Sequence, residues 1–349
     1  MTGAFGVLKL YGEARFFMID IDPYKVLEIS NRASPLVIKA AYQALIKKFH
    51  PDHGGTEARA REINDAYGLL SDTSKRKKFD KEVSSNSGTI IGSYKVLSAI
   101  AEGGFGSTYK GEHLITKDPV CIKHCSMISP AHDAVLIQET KSIWDLRHYA
   151  LPVMRDLQRL DDGSLALIMS YIPGPTLEQI VEKAGKIESE SVAWIAERIL
   201  NALLYLHHHG VIHGDIKPQN VIIQPETHSV VLVDFGLAMV KPGGSDKSLG
   251  YTPVFASPEQ IDGKTLLPAS DYYSLGMLMV YALNGGKMMD KKQVPNTVPD
   301  PIVSFITQLT KKDILLRPQQ DLFDEFVKVR QDSFGRTRSG MKNISGFNS

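Results

Sequence analysis

Two amphipathic helices are predicted near the start of the chain. From Ser34 onward, apolar residues recur at the three-and-four spacing that places them on one helical face, namely Ile38, Ala41, Leu45 and Phe49. A second run begins at Thr56, and its apolar residues are Ile63, Ala66, Tyr67 and Leu70. Asp22-Pro23 and Ser34-Pro35 each place a capping side chain before a proline that a first helical turn tolerates. We therefore expect helix starts at both points and two antiparallel helices packed through their apolar faces.

The periodicity changes after a short stretch rich in serine and glycine. Residues 83–92, VSSNSGTIIG, break the helical period and indicate a linker. Residues 94–113 alternate like two strands around a glycine turn, and residues 119–125 form a further short strand. Helical patterns dominate after Glu178, and the polar residues 331–349 predict a mobile tail. The pattern therefore predicts a small helical unit followed by a larger unit of strands and helices.

Composition and charge narrow the function classes. The chain has 349 residues, 43% of them hydrophobic, which is enough for one small and one large core. Its 40 Lys and Arg residues balance 39 Asp and Glu residues, so no net charge draws it toward nucleic acid or a membrane surface. Cys121 and Cys125 are too few for a disulfide framework or a zinc site. Without a secretion signal or a run of ~18 apolar residues, we expect a soluble cytoplasmic protein.

A basic helix face followed by a His-Pro-Asp loop suggests a docking surface. Lys39 and Lys47 lie on the face opposite the apolar one, and the loop is His50-Pro51-Asp52. The proline stiffens the loop and would hold an imidazole and a carboxylate outward at little ordering cost. The lysines would steer an acidic partner toward it. Taken alone, a helix-ending turn beside a solvated face is the simpler explanation.

Residues 20–82 resemble the J-domain family along their whole length. The matching segments are DPYKVLEI, AAYQALIKKFHPDHGG, REINDAYGLLSD and KRKKFD. In that family the loop and its basic helix dock on a DnaK-type chaperone and promote ATP hydrolysis by it. The resemblance assigns this role to Lys39, Lys47, Lys48, His50, Pro51 and Asp52. His53 departs from the family, which often has lysine at that position.

A glycine-rich turn points to a phosphate-binding lid. Ala101 occupies the first position of a G-x-G-x-x-G pattern, followed by Gly103 and Gly106. The chain continues as a strand, whereas a dinucleotide-binding turn would open a helix. Lys123 lies on the next predicted strand. Small residues let backbone N–H groups approach phosphates, and a lysine on a rigid strand can contact two of them.

Residues 93–330 resemble the eukaryotic-type Ser/Thr protein kinase family, with GGFGST and ASPEQ most like its bacterial members. The resemblance implies ATP and Mg²⁺ as cofactors and proteins as substrates. The implied nucleotide-binding residues are Ala101, Gly103, Gly104, Gly106, Thr108, Cys121, Lys123, Met169 and Tyr171. The implied catalytic residues are Lys123, Glu139, Asp215 and Lys217, and the implied metal ligands are Asn220 and Asp234.

The chemistry of phosphoryl transfer fits these residue types. Carboxylate and amide oxygens suit Mg²⁺, and a carboxylate must lie within hydrogen-bond reach of the attacking hydroxyl. The resemblance also implies three supporting pairs. Thr252 would contact Asp215 and Lys217, Arg317 would pair with Glu259 of Ser257-Pro258-Glu259, and Asp271 would brace the catalytic loop.

Several positions depart from the family pattern. Gly214 replaces the arginine that often binds an activation-loop phosphate, so control by such a phosphate is expected to be weak. Thr108 replaces a valine and Cys121 an alanine, both changes of small size. His207-His208-His209 ends a predicted helix and lacks convergent ligands, so we expect a solvated helix end there rather than a metal site.

The resemblances together imply a multidomain chain: a small all-α J-domain hairpin plus an α+β bilobal protein kinase fold. We expect an N-terminal extension at 1–19, a J-domain at 20–82, a linker at 83–92, a kinase domain at 93–330 and a flexible tail at 331–349. The implied function is a Ser/Thr kinase that recruits a DnaK-type chaperone.

Two other functions stay open. A small-molecule phosphotransferase is possible because H-G-D-x-x-x-x-N also resembles aminoglycoside and choline kinases, although Thr252, Glu259 and Asp271 argue against it. A co-chaperone with a pseudokinase module is the other, although retention of the full set of catalytic residues argues against that.

Overall fold

The computed structural model describes residues 23–29, 33–49, 56–76, 89–103, 106–125, 130–224, 227–244, 246–287, 294–319 and 322–335. The chain divides into two compact units. One contains the described parts of 13–133 and 155–171, and the other contains those of 134–154 and 172–349.

The first unit opens with the predicted helical hairpin. Helix α1 spans Pro23–Val26, α2 spans Pro35–Phe49 and α3 spans Glu57–Leu70. Two of the predicted caps act as expected, because the Thr56 hydroxyl accepts from the backbone N–H of Arg59 and the Ser34 hydroxyl accepts from that of Val37. The third predicted cap, Asp22, lies outside the described residues. The buried core of the hairpin consists of Tyr24, Val26, Leu27, Ile38, Leu45, Ile63, Ala66 and Leu70. The apolar faces read from the sequence are therefore the faces that pack.

The same unit contains a six-stranded sheet in the order β1-β2-β3-β4-β6-β5. Its strands are Ile90–Ile91 (β1), Tyr94–Gly103 (β2), Gly106–His113 (β3), Pro119–Cys125 (β4), Met154–Arg159 (β5) and Leu165–Ser170 (β6). The pairs β1–β2, β2–β3, β3–β4 and β4–β6 are antiparallel. A buried cluster on this sheet includes Val96, Val120, Ile122 and Ile168.

Strand β1 corrects the predicted linker, which was expected to reach residue 92. Ile91 is buried and pairs with Tyr94, and Ile90 pairs with Lys95. Two β-branched residues before a glycine turn favour strand pairing over an open linker. The sheet thus begins at Ile90, and residues 83–88 lie outside the described part of the chain.

The second unit is mainly helical and surrounds a long helix, α6. Its helices are α4 (Pro130–Ile143, which starts in the first unit), α5 (Leu177–Ala184), α6 (Ser189–His208), α7 (Pro258–Ile261), α8 (Pro268–Leu283), α9 (Asp300–Leu309) and α10 (Phe323–Phe334). Short 3-10 turns occur at Pro218–Asn220 and Ile314–Leu316. Helix α6 packs on α8 and α10, and α9 also packs on both of them. None of the described helices is both long and apolar enough to cross a lipid bilayer.

Two small antiparallel pairs carry the loops of interest in this unit. Val211–Ile212 (β7) pairs with Met239–Val240 (β10), and Val221–Gln224 (β8) pairs with Ser229–Leu232 (β9). The loop from β7 to β8 contains Asp215, and Asp234 follows β9. These two short strand pairs place Asp215 and Asp234 in the same region of the unit.

Helix α10 corrects the predicted boundary of the tail, which was placed at residue 331. The helix continues to Phe334, and its residue Phe326 is fully buried against Phe305 of α9. Arg330 forms an ion pair with Glu197 of α6. These contacts hold the last turns of α10 against the unit, although the residues themselves look polar in sequence. Residues 336–349 lie outside the described part of the chain.

Candidate functional sites

A buried carboxylate holds the loop that contains Asp215. Asp271, in the first turn of α8, accepts hydrogen bonds from the backbone N–H groups of His213 and Gly214, both at 2.9 Å. Burial by itself would raise the pKa of Asp271, but the hydrogen bond and charge of His207, together with the hydrogen bond from the Gly214 N–H group, hold it below its usual value. Asp271 is therefore ionised and fixes two consecutive peptide groups directly before Asp215.

His207 corrects the prediction of a solvated helix end. Its ring nitrogen Nε2 lies 2.8 Å from Asp271 Oδ2, and its side chain is only 8% exposed. Because a carboxylate accepts and does not donate, Nε2 must carry the hydrogen. The prediction is right for His208 and His209, which are exposed. His207 differs because the end of α6 packs on α8, a contact that periodicity along α6 alone does not reveal.

His213 is fully buried next to Phe235, with ring centroids 4.6 Å apart. Burial lowers the pKa of its imidazole despite the nearby carboxylates Asp271, Asp215 and Asp234. Its Nδ1 accepts from the backbone N–H of Asp215 at 3.3 Å, so the neutral ring carries its hydrogen on Nε2. The ring thus packs as a neutral group between the loop and Phe235.

The structure brings the predicted loop residues together around Asp215. Oδ1 of Asp215 accepts from the Thr252 hydroxyl at 2.6 Å, and Oδ2 accepts from Asn220 Nδ2 at 2.9 Å. Lys217 Nζ lies 2.7 Å from the same Oδ2 and 3.2 Å from the Thr252 hydroxyl. Asp215 is only 7% exposed. Both carboxylate oxygens are therefore oriented by donors from the loop itself and from the segment that precedes α7.

Asn220 and Asp234 offer oxygens suited to a hard cation. The Asn220 amide nitrogen donates to both the backbone carbonyl and Oδ2 of Asp215, which leaves its oxygen Oδ1 for a different contact. The N–H of Val233 donates to the Asn220 carbonyl at 3.0 Å, so Asp234 follows beside it. Among the described residues no group of three His, Cys, Asp or Glu side chains could hold a metal. Mg²⁺ requires no such group, because it retains water and binds through one or two carboxylates plus substrate phosphates.

The predicted nucleotide-binding residues lie on neighbouring strands of the sheet in the other unit. Ala101 pairs with Thr108, Gly103 with Gly106, and Thr108 with Lys123 across β2, β3 and β4. Cys121 pairs with Met169 across β4 and β6, and Tyr171 follows β6 with the Lys110 ammonium 4.7 Å from its ring centroid. Gly104 lies outside the described residues.

Gly106 has a backbone that only glycine can adopt here. Its φ is +141°, and an added Cβ would lie 2.1 Å from the backbone oxygen of His124. Gly106, at the start of β3, therefore lies in close backbone contact with His124 of β4, and a side chain at this position would not fit.

Glu139 is placed differently from these residues. It lies on α4 in the helical unit and is buried, whereas Lys123 lies on the sheet. Carboxylates are seldom fully buried, so Glu139 stands out among the acidic residues of the described helices.

Sequence reasoning missed the contact between Glu178 and Gln219. Glu178, at the start of α5, accepts a hydrogen bond from the Gln219 amide in the catalytic loop. Burial and repulsion from Glu182 raise the pKa of Glu178, while Gln219 and Lys217 oppose the shift. Its position two residues after the helix cap Thr176 suggested only an acidic first turn.

The predicted pair of Glu259 and Arg317 is a bidentate, buried ion pair. Arg317 nitrogens donate to both carboxylate oxygens of Glu259 at 2.7 Å and also to three backbone carbonyls, those of Ala269, Lys311 and Lys312. Burial would raise the pKa of Glu259, but hydrogen bonds from Arg317 and Ser270 outweigh it and hold the pKa low. The stabilisation is therefore present above the usual pKa of Glu and is lost as pH falls below it.

The predicted chaperone-binding face is described only in part. Lys39, Lys47 and Lys48 are exposed on α2, and the Lys48 ammonium lies 5.1 Å from the Phe49 ring centroid. Lys47 and Lys48 also complement the negative end of the helix dipole, which is a structural reason for their position. His50, Pro51 and Asp52 lie outside the described residues.

Comparison with known proteins identifies both parts of the chain. Residues 94–332 match the protein kinase domain, and residues 22–80 match the DnaJ domain. Since the first match covers well over half of the sequence, the chain belongs to the protein kinase family, and it carries a DnaJ domain ahead of the kinase domain. The predicted combination of domains is confirmed.

The curated relatives include bacterial and eukaryotic Ser/Thr kinases. The chain is 30% identical over 210 residues to "Serine/threonine-protein kinase pkn3" of Myxococcus xanthus, which covers 56% of this chain and 38% of the relative. It is 29% identical over 216 residues to "Serine/threonine-protein kinase D" of Synechocystis, covering 56% and 41%. It is 28% identical over 238 residues to "Serine/threonine-protein kinase 36" of Pongo abelii, covering 63% and 18%. The chain thus spans less than half the length of each of these relatives.

Replacing Arg317 by leucine should lower the free energy of unfolding of the helical unit by about 3–5 kcal/mol, because Glu259 would be left as a buried, unpaired charge. Lysine at the same position should rescue only part of this loss, since an ammonium cannot pair with both oxygens in the plane of the carboxylate. Urea denaturation followed by circular dichroism measures the change. The control is Lys264→Ala, which removes an exposed ion pair with Asp262 and should have little effect. Equal effects of the two changes would contradict the structural role of the buried pair.

Proposed function

We propose that the chain is a protein Ser/Thr kinase that transfers the γ-phosphoryl group of ATP to serine or threonine hydroxyls of proteins. The observation that carries the proposal is the coordination of Asp215 by Thr252, Lys217 and Asn220. A carboxylate held through both oxygens, beside a lysine that can neutralise charge on a phosphoryl group, is what positioning catalysis of phosphoryl transfer requires.

Asp215 is the proposed acceptor of the proton from the attacking hydroxyl. Its two oxygens are oriented by Thr252, Lys217 and Asn220, which is the fixed geometry that the acceptor role needs. Lys217 would also balance the charge of the transferred group. When bound, Mg²⁺ would neutralise charge that develops on the phosphate oxygens, and Asn220 and Asp234 are the residues that would hold it.

The sheet supplies the proposed nucleotide site. The β2–β3 hairpin that contains Gly103 and Gly106 is the proposed phosphate-binding element, and Lys123 lies on the adjacent strand β4. Ala101, Gly104, Thr108, Cys121, Met169 and Tyr171 complete the proposed site. Glu139 is the proposed ion-pair partner of Lys123, as the family resemblance implies.

Protein substrates are favoured over small molecules by the segment that follows Asp234. Thr252 reaches back to Asp215 and Lys217, while Glu259 is anchored by Arg317. A segment held at both of these points forms an ordered surface next to the phosphoacceptor position. Such a surface is useful for binding an extended peptide and unnecessary for a small alcohol.

The DnaJ domain is proposed to recruit a DnaK-type chaperone to the kinase or to its substrates. The exposed lysines of α2 support this, because they form a basic face that is available to an acidic partner. His50, Pro51 and Asp52 are the proposed contact residues of the loop.

Asp215→Asn should reduce phosphorylation of a generic protein substrate by about 10²–10⁴-fold, because the amide cannot accept the proton. Asp234→Ala should reduce it further through loss of a metal ligand. Transfer of labelled phosphate, followed by identification of the modified residues, measures both effects. Asp161→Asn, in an exposed turn between β5 and β6, is the matched control and should retain full activity. Undiminished transfer by Asp234→Ala would refute the assignment, and phosphotyrosine as the product would contradict the role of Lys217.

His50→Gln should abolish the stimulation of ATP hydrolysis by a DnaK-type chaperone, because the imidazole is the proposed contact group of the loop. The full chain with Asp215→Asn as background is the sample of choice, since its own consumption of ATP is then suppressed. The exposed His228 of the β8–β9 turn provides the matched control, His228→Gln, which should stimulate as the background protein does. Equal stimulation by both variants would show that the loop is not the contact.

Ser245→Ala combined with Ser248→Ala should retain most of the turnover of fully dephosphorylated wild type, because Gly214 offers no guanidinium for a loop phosphate. Lys241 and Lys247 could contribute only as point charges. In the structure the Ser248 hydroxyl donates to the Gln260 carbonyl at 3.1 Å, and Ser245 lies outside the described residues. Steady-state kinetics after phosphatase treatment tests this. A large loss that aspartate at either position restores would mean that another cation senses a phosphate.

A further inference from the structure

Gln260 links the loop that contains Asp215 to the segment that contains Thr252, and the proposed mechanism needs these two segments at a fixed spacing. Its side chain is 3% exposed, in α7 directly after Glu259. The amide nitrogen Nε2 donates to the backbone carbonyl of Gly214 at 2.6 Å and to that of Gly250 at 3.0 Å. Both partners can only accept, so the two hydrogens of a neutral amide satisfy them and a carboxylate in the same place would not.

The two acceptors lie next to the groups that orient Asp215. Gly214 directly precedes Asp215. Its backbone N–H donates to Asp271 and its backbone carbonyl accepts from Gln260, so both backbone polar groups of Gly214 have a partner. Gly250 lies two residues before Thr252, whose hydroxyl donates to Asp215. Gln260 therefore fixes the spacing between the catalytic loop and the segment that contributes Thr252.

The anchoring of Gln260 does not depend on a phosphate. The preceding residue, Glu259, is bound by Arg317 and by the Ser270 hydroxyl. The backbone carbonyl of Gln260 itself accepts from the Ser248 hydroxyl. All of these contacts are made by unmodified residues. The hydrogen bonds of the Gln260 side chain and backbone join neutral groups.

The position of Gly214 rules out a guanidinium from that residue as an alternative link. Gly214 has a φ of +73°, and an added Cβ would lie 2.7 Å from the backbone oxygen of Leu237. In kinases whose activation loop is ordered by phosphorylation, the order comes from new ion pairs between arginine and the phosphate. Here the same two segments are joined by an amide.

We propose that Gln260 is a positioning residue that holds the activation segment against the catalytic loop and takes the place of a phosphate-dependent link. This inference rests on the proposed kinase function. It goes beyond that function by assigning the means by which the segment stays ordered without modification.

Two substitutions at position 260 separate the hydrogen-bonding role of the amide from the shape of the side chain. Gln260→Met keeps the length of the side chain and removes both donors, and we expect kcat to fall by about 10- to 100-fold because the buried Gly214 carbonyl and the partly buried Gly250 carbonyl lose their partner. The KM for ATP should change little, since the proposed nucleotide residues lie on other elements. Gln260→Glu should be equally impaired at neutral pH, where an ionised carboxylate would face two carbonyl oxygens.

The pH dependence of Gln260→Glu distinguishes positioning from simple misfolding. A protonated carboxyl group regains one donor, so the ratio of its kcat to that of wild type should rise as pH falls. The ratio for Gln260→Met should stay flat. The ionisable side chains of the surrounding segments are the same in all three proteins, so the ratio isolates position 260. They are Asp215, Asp271, His207, His213, Glu259, Arg317 and Lys264.

Hydrogen exchange of the full chain provides a readout that needs no catalysis. Amides of residues 246–256 should exchange faster in Gln260→Met than in wild type, while those of α6 should be unchanged. The inference would be overturned if Gln260→Met had the same kcat and the same exchange rates as wild type. It would also be overturned if the ratio of kcat to that of wild type depended on pH identically in the two variants. Absence of transfer by wild type would instead refute the kinase proposal, and the exchange experiment would still decide the role of Gln260.

Discussion

The carboxylate of Asp271 is the constraint on which the geometry of the catalytic loop depends. It accepts from two consecutive backbone N–H groups and from the imidazole of His207 while it is almost fully buried. Hydrogen bonds to an ionised group contribute about 1.5–3 kcal/mol each, and a buried charge without them would be strongly unfavourable. The loop and α8 therefore stabilise each other. Because the constraint acts on the backbone, the side chain of Asp215 stays available for chemistry.

The remaining contacts extend outward from this centre in a definite order. The backbone carbonyl of Gly214 is bound by Gln260, and the side chain of Asp215 is bound by Thr252, Lys217 and Asn220. Gln260 in turn follows Glu259, which Arg317 fixes. The chain of contacts thus runs from a buried ion pair through a neutral amide to the proposed base. Networks of this kind are most favourable when every member has its partner, so the loss of one member should weaken the contacts of the others.

The local features of the fold were predictable from sequence because they depend on local rules. Helices α2 and α3 begin at the capping residues Ser34 and Thr56, and their apolar faces form the core of the hairpin. The pairing of Glu259 with Arg317 and the contacts of Thr252 and Asp271 were expected from the family resemblance, since neither periodicity nor spacing relates residues so far apart.

The features that sequence missed depend on contacts between distant segments. His207 is buried because α6 packs on α8, and the polar end of α10 is helical because Arg330 reaches Glu197. Gln260 looked like an ordinary residue after a conventional motif, and only the closeness of Gly214 and Gly250 gives its amide a role. In each case at least one partner of the buried polar side chain lies more than 40 residues away, so a short window of sequence does not contain the information.

The charged residues around Asp215 are buried, whereas the lysines of α2 are exposed to solvent and ions. Asp215, Asp271 and Arg317 are buried, so dissolved salt screens their interactions weakly. Lys39, Lys47 and Lys48 are exposed on α2, where the Debye length of about 8 Å at physiological ionic strength limits their reach. The geometry around the proposed base is thus set by short, buried contacts that salt screens only weakly. Recruitment of a partner through α2 would depend on exposed charge, and so it is the interaction that ionic conditions can regulate while the catalytic loop stays intact.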